Sequence, residues 1–247
     1  MQSSSSDPRA PFVIGIVILG VVLLGGMIWA VVSAPAAPQG GITDDPNLSF
    51  NDEGDPMLGP EDAKVTIRIF GDFECPACRA AEAGITHIRR NYADTVRLVW
   101  NDFPLPPTIH PKAREAANAA RCAEEQGTFW EMHDLLYETQ NSWASSKDLA
   151  GDFTALATRA GLDADAFRAC YGERRHDNKV VADLSEGRSN AVDSTPTFFV
   201  NDSRVVGVRS PSEWDAVLGP LVAAASSEPV STPAPDASTE GDLQLPL

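Results

Sequence analysis

Cys75-Pro76-Ala77-Cys78 lies between two patterns that constrain how the chain can fold. Before it, Val65-Thr66-Ile67-Arg68-Ile69-Phe70 is an apolar, β-branched run that predicts a strand. After it, Arg79 to Tyr92 predicts a helix. A C-x-x-C pair at such a junction puts its first cysteine at a helix N-terminus, where unpaired N–H groups and the macrodipole favour an anion. The thiol pKa falls there, which marks Cys75 as the candidate nucleophile. Cys78, one turn further on, is placed to attack a mixed disulfide and close the bond. Pro76 fixes φ and removes an N–H in the first turn, where the loss is harmless, and Ala77 adds no charge. Asp72 and Glu74 would raise the thiol pKa if they sat close, so the sequence leaves that balance open.

The rest of the chain sets the compartment and the architecture. Residues 12–32 carry no charge and have the length of a transmembrane helix. A cleaved signal peptide is the competing reading, but its apolar core is usually only about 7–15 residues long. Arg9 precedes the span and the next basic residue is Lys64, so the positive-inside rule puts residues 1–11 in the cytoplasm and the bulk outside. Residues 33–56, rich in Pro, Gly, Asp and Asn, read as a disordered linker. Residues 224–247 read as a disordered, acidic and Pro-rich tail. A net charge of −16 argues against nucleic-acid binding.

Between linker and tail, residues 57–223 order themselves as strand, C-x-x-C helix, strand (Thr95 to Trp100), a helical block at about 108–190, a hairpin and a last helix. The hairpin is Thr197-Phe198-Phe199-Val200 and Arg204-Val205-Val206-Gly207, turning at Asn201-Asp202-Ser203. This is an α/β pattern: a mixed sheet flanked by helices, with an all-helical insertion. Cys122 and Cys170 fall on helices of the insertion. They form a structural disulfide or remain two buried thiols; an extracytoplasmic compartment favours the disulfide. His87, His110, His133 and His176 are scattered without paired spacing, so no metal site is expected, and His133 reads as a helix-surface or core-edge residue.

Gly71-Asp72-Phe73-Glu74-Cys75-Pro76-Ala77-Cys78, Ala120-Arg121-Cys122-Ala123-Glu124-Glu125-Gln126-Gly127 with Phe129-Trp130 and His133-Asp134, and Ser194-Thr195-Pro196-Thr197-Phe198-Phe199-Val200-Asn201 resemble the DsbA-like thioredoxin-fold oxidoreductases. The resemblance implies a thioredoxin fold, a cis Thr195–Pro196 bond and dithiol–disulfide exchange through Cys75 and Cys78. It implies that the Thr195 backbone and Pro196 bind extended substrate chains, in the manner of strand addition. It implies unfolded or reduced exported proteins as partners, re-oxidation by a quinone-linked membrane enzyme (DsbB-like or VKOR-like) and no bound cofactor. A membrane-anchored monomer acting on the periplasmic or cell-wall side is the expectation. Two departures bear on the redox poise: Ala77 stands where strong oxidants often carry histidine, and Ile69 where some members carry a buried acid. A reductase or isomerase of the same fold, or a chain-binding adaptor without redox activity, are the alternatives.

Overall fold

The structure is a computed structural model in which residues 43–44 and 47–227 are described. The span at 12–32 and the tail from 228 lie outside the described residues. Among the described residues, no helix is long and apolar enough to cross a membrane.

Six strands form one sheet: β1 (Thr43–Asp44), β2 (Met57–Leu58), β3 (Val65–Gly71), β4 (Val96–Asp102), β5 (Thr197–Val200) and β6 (Ser203–Val206). Their order is β1-β6-β5-β3-β4-β2. β3 and β4 run parallel, joined through the C-x-x-C helix α1 (Pro76–Asn91), and the β5–β6 hairpin pairs antiparallel to β3. The expected thioredoxin-fold sheet is therefore present. β3 is central: Val65, Ile67 and Ile69 alternate with half-buried Thr66 and Arg68, and from Ile69 to Gly71 every residue is buried. Its end, Gly71, has no room for a Cβ, which would lie 2.2 Å from the Trp100 ring of β4.

The insertion supplies α2 (Ala113–Glu124), α3 (Phe129–Glu138), α4 (Gln140–Ser145), α5 (Leu149–Arg159), α6 (Ala164–Gly172) and α7 (Asp177–Ser189). Asp163 caps α6, its side chain accepting from the N–H groups of Asp165 and Ala166. Cys122 of α2 and Cys170 of α6 are joined in a disulfide, with 5.8 Å between their Cα atoms. Their 48-residue separation corresponds to about 4 kcal/mol of loop-closure entropy removed from the unfolded chain. The last helix, α8 (Pro211–Ser227), runs past the expected end at 223 through an alanine run of high helix propensity. It packs on α1 through Trp214, where Gly84 leaves the ring space: a Cβ there would lie 2.6 Å from it.

Residues 47–56 differ from the disordered linker that their composition indicates. Leu48 and Phe50 pack on the cluster of Phe70, Phe103, Val192 and Phe199. Asp52 makes two hydrogen bonds to Arg68, at 2.7 and 2.6 Å, and Asp55 is buried against Arg121 at 2.9 Å. These acids, which looked like solvating charges, are ion-pair partners of residues far away in sequence.

Candidate active site

Cys75 is the N-cap residue of α1, with extended backbone (φ −73°, ψ 121°), and Pro76 opens the first turn. N-cap positions usually carry an oxygen that accepts from the next N–H groups. Here a sulfur takes that place. The sulfur makes no capping hydrogen bond in this geometry, but the nearby N–H groups of Ala77 and Cys78 favour its ionised form. No acid stands in the first turn, and Arg89 and Arg90 stand in the last, so the helix charges do not oppose a thiolate at the start.

The two sulfurs are buried, Cys75 at 6% and Cys78 at 3% exposure, and both are free thiols. Their electrostatics are opposite. The hydrogen bond from the Cys78 thiol, with those from Thr195 and the two backbone N–H groups, outweighs burial and lowers Cys75 to about 5. Burial, and then the Cys75 sulfur beside it, push Cys78 well above the ordinary thiol value. One thiol is ready to attack; the other holds its proton.

The Thr195–Pro196 bond is cis, and Thr195 lies against the sulfurs. As a neutral thiol, Cys75 Sγ donates to the Thr195 carbonyl at 3.5 Å. The Thr195 hydroxyl oxygen is buried without a hydrogen-bond partner, and Thr195 favours the charged form of Cys75. Thr195→Val removes that hydroxyl. A hydrogen bond to a charged group is worth about 1.5–3 kcal/mol, and 1.36 kcal/mol is one pKa unit. The pH midpoint for alkylation of Cys75 by iodoacetamide should therefore move up from about 5 by roughly one unit. An unchanged midpoint would show that the hydroxyl does not act on the thiolate.

Asp72 and Glu74, which left the charge balance open, turn away from the thiols. Asp72 accepts from the Leu105 N–H (2.8 Å) and His110 Nδ1 (2.7 Å) with one oxygen and from the Glu74 N–H (2.7 Å) with the other. Glu74 accepts from the Lys112 N–H at 2.6 Å. Both are loop clasps. Gln140 of α4 donates to the carbonyls of Phe73 (2.7 Å) and Cys75 (3.0 Å), and the Tyr137 hydroxyl donates to the carbonyl of Asp72 (3.2 Å). The helical insertion thus fixes the backbone that presents Cys75. Sequence reasoning missed Gln140, Tyr137, His110 and Lys112 as parts of the site; they lie 38 to 67 residues from their partners and carry no local signature.

His133 differs most from its expected place. It is fully buried, enclosed by Phe73, Trp100, Trp130 and Tyr137, with ring centroids at 4.9–5.6 Å. Cys122 and Cys170, though grouped with His176, are bonded to each other, and the remaining grouping of metal-ligand side chains among the described residues is Glu82, His133 and Asp134.

A mixed sheet with a helical insertion, a C-x-x-C pair opening α1 and a cis-proline loop over it together define a DsbA-like thioredoxin-fold protein. Residues 51–219 match the family model described as Thioredoxin, and the chain belongs to that family. Among solved structures it is similar to oxidised BdbD from Bacillus subtilis (TM-score 0.63, 23% identity, 73% of this chain and 100% of that one). It is also similar to α-DsbA1 from Wolbachia pipientis (TM-score 0.62, 21% identity, 73% and 96%). A thioredoxin-like oxidoreductase from Silicibacter pomeroyi is 26% identical (TM-score 0.54, 71% and 94%). Curated relatives include the Na(+)/H(+) antiporter NhaA 3 of Salinispora tropica, 36% identical over 192 residues, which are 78% of this chain and 28% of that protein. The NhaA 1 antiporter of Mycolicibacterium gilvum is 36% identical over 168 residues, 66% of this chain and 25% of that protein. The chain spans only 28% and 25% of the length of these two relatives.

Proposed function

We propose that this chain is an extracytoplasmic thiol–disulfide oxidoreductase that introduces disulfides into exported proteins through Cys75 and Cys78. The observation that carries the reading is the Cys75–Cys78 pair opening α1 against the cis Thr195–Pro196 bond, a setting that lowers one thiol and raises the other. In the oxidised form a substrate thiolate attacks Cys75 Sγ, and the electron pair of the broken S–S bond leaves on Cys78 Sγ. A second substrate thiolate then attacks the substrate sulfur of the mixed disulfide. The substrate leaves as a disulfide and the Cys75–Cys78 dithiol remains. Thr195 and Pro196 offer main-chain contacts to the substrate as an added strand, a mode that tolerates many sequences. The uncharged, apolar segment 12–32 holds the domain at the membrane, and a quinone-linked membrane enzyme takes up the electrons from a monomeric enzyme. The antiporter names belong to proteins several times longer than the shared stretch, and ion antiport is not part of this reading.

A Cys75 thiolate of pKa about 5 is ionised about a hundredfold over its thiol at pH 7. That stabilises the reduced form by the same factor, or about 60 mV toward the oxidising end, since tenfold is about 30 mV for two electrons. Equilibration of the full chain with glutathione should therefore give a potential well above the roughly −270 mV of thioredoxin. A value at or below that would replace the oxidase reading with a reductase.

A further inference from the structure

Cys78 must shed a proton whenever it attacks and must take one up whenever it leaves as a thiolate, yet it is almost wholly buried. The helix α1 places Glu82 on the same face, one turn below it, at about 5–6 Å between Cβ atoms. Opposite, α3 sets Tyr137 and His133 one turn apart. Glu82 Oε1 and His133 Nε2 face each other at 3.8 Å, and both are buried without a hydrogen-bond partner. His133 Nδ1 is held at 3.0 Å by Asp134, which is itself held by Arg89 at 2.6 Å. With the Nδ1 proton donated to Asp134, Nε2 presents a lone pair to the Glu82 carboxyl. Two buried acceptors facing each other require one proton between them. The pair therefore holds a single exchangeable proton. A cleft of about 440 Å³, lined by Arg79, Glu82, Thr86, Asp134 and Tyr137 among others, opens along this helix pair.

We infer that Glu82, oriented by His133, is the group that exchanges the proton of Cys78, with the α1–α3 cleft as its path to water. The inference rests on the exchange chemistry proposed above. When a thiolate attacks Cys75 in the disulfide, the electron pair goes to Cys78 Sγ, Glu82 gives up its proton through one water to that thiolate, and solvent restores the carboxyl. In reverse, the carboxyl first loses its proton to solvent, Glu82 then takes the Cys78 proton through one water, Cys78 Sγ bonds to Cys75 Sγ, and the partner leaves as a thiolate. The other charged groups near the pair are Arg79, Arg89 and Arg90 on α1, Asp134 and Glu138 on α3, and Asp72 and Cys75 at the site end; His87 and Tyr92 meet Asp215 of α8 on a separate side. Burial raises the pKa of Glu82, which suits a carboxyl that keeps a proton to give.

The test follows the full chain, reduced, reacting with oxidised glutathione under rapid acid quench, which separates formation of the Cys75–glutathione mixed disulfide from its resolution by Cys78. With Glu82→Gln, resolution should slow by about 10²-fold at pH 7, within the usual range for acid–base groups. It should then climb about tenfold per pH unit as hydroxide replaces the lost base, while mixed-disulfide formation stays within about twofold of wild type. Glu82→Asp should retain the wild-type pH profile at a lower rate. On wild type itself, resolution should show a solvent isotope effect that formation lacks. A Glu82→Gln profile that superimposes on wild type, or no isotope effect on resolution, overturns the role of Glu82 and leaves the exchange reading standing. A wild-type chain that forms no mixed disulfide at Cys75 overturns both.

Discussion

Cys75→Ser should reduce catalysed thiol–disulfide exchange to the uncatalysed rate while the fold stays intact. The substitution removes one polarisable sulfur and leaves an oxygen at an N-cap position, where serine is among the preferred residues. Helix α1 therefore keeps its start, and urea unfolding of the variant should stay close to wild type. The chemistry is lost because a serine hydroxyl does not ionise near neutral pH and does not form a disulfide. Oxidative refolding of a reduced, disulfide-containing protein is the assay. A variant that still speeds refolding without redox change would identify the chain as a binder of unfolded chains that needs no thiol. In wild type, reactivity of Cys75 should persist down to about pH 5 and fall below it, because the group that attacks is the thiolate and its pKa lies there. Cys78 should stay unreactive across the same range.

The parts of this site that the sequence reveals are those set by local chemistry. A cysteine before proline at a strand-to-helix junction states where the sulfur will lie, because N-cap geometry follows from the chain direction alone. The Thr195–Pro196 pair ahead of an apolar strand is also contiguous in sequence, but its cis bond is an expectation from the family resemblance and not from local chemistry. What stays hidden is whatever depends on which helix lands beside which. Nothing in Gln140 announces that it will hold the carbonyls of Phe73 and Cys75. His133 looked peripheral because its helix carries polar neighbours, Glu131 and Asp134, whereas an aromatic layer closes over it in three dimensions. Composition misled at 47–56 for a related reason. Acidic residues solvate a free segment, but Asp52 and Asp55 each find an arginine once the sheet and α2 are assembled.

That last pairing carries the second large expectation. Arg121 is fully buried, and five groups converge on it: Asp102 (2.6 Å), Asp183 (2.5 Å), Asp55 (2.9 Å), the Gly54 carbonyl (2.7 Å) and, at the partly exposed edge, Glu124 (3.4 Å). Lys179 joins Asp55 and Asp183 at 2.6 Å each, and Trp100 donates to Asp102 at 2.9 Å. Removing one partner of such a group leaves buried charge uncompensated and typically costs about 3–5 kcal/mol. Arg121→Met, which keeps most of the side-chain volume, should lose about that much in urea unfolding near pH 8. The loss should shrink toward pH 5. Burial, and then the charge of Asp102, raise Asp183 to about 7 even with Arg121 pulling the other way. An acid raised in the folded state adds stability below its unfolded value near 3.9, and that stability is lost as pH rises through about 7. Without Arg121 the three carboxylates depend more on protonation, so acid should relieve the variant more than the wild type. An equal deficit at both pH values would show that packing, and not charge, sets the cost. The network also bears on catalysis. Asp102 ends β4, the next N–H (Phe103) donates to Gly71 at 2.8 Å, and Leu105 holds Asp72 beneath the C-x-x-C turn. A chain that loosens at Arg121 should therefore present Cys75 less rigidly, and exchange by Arg121→Met should fall at temperatures below those that unfold it.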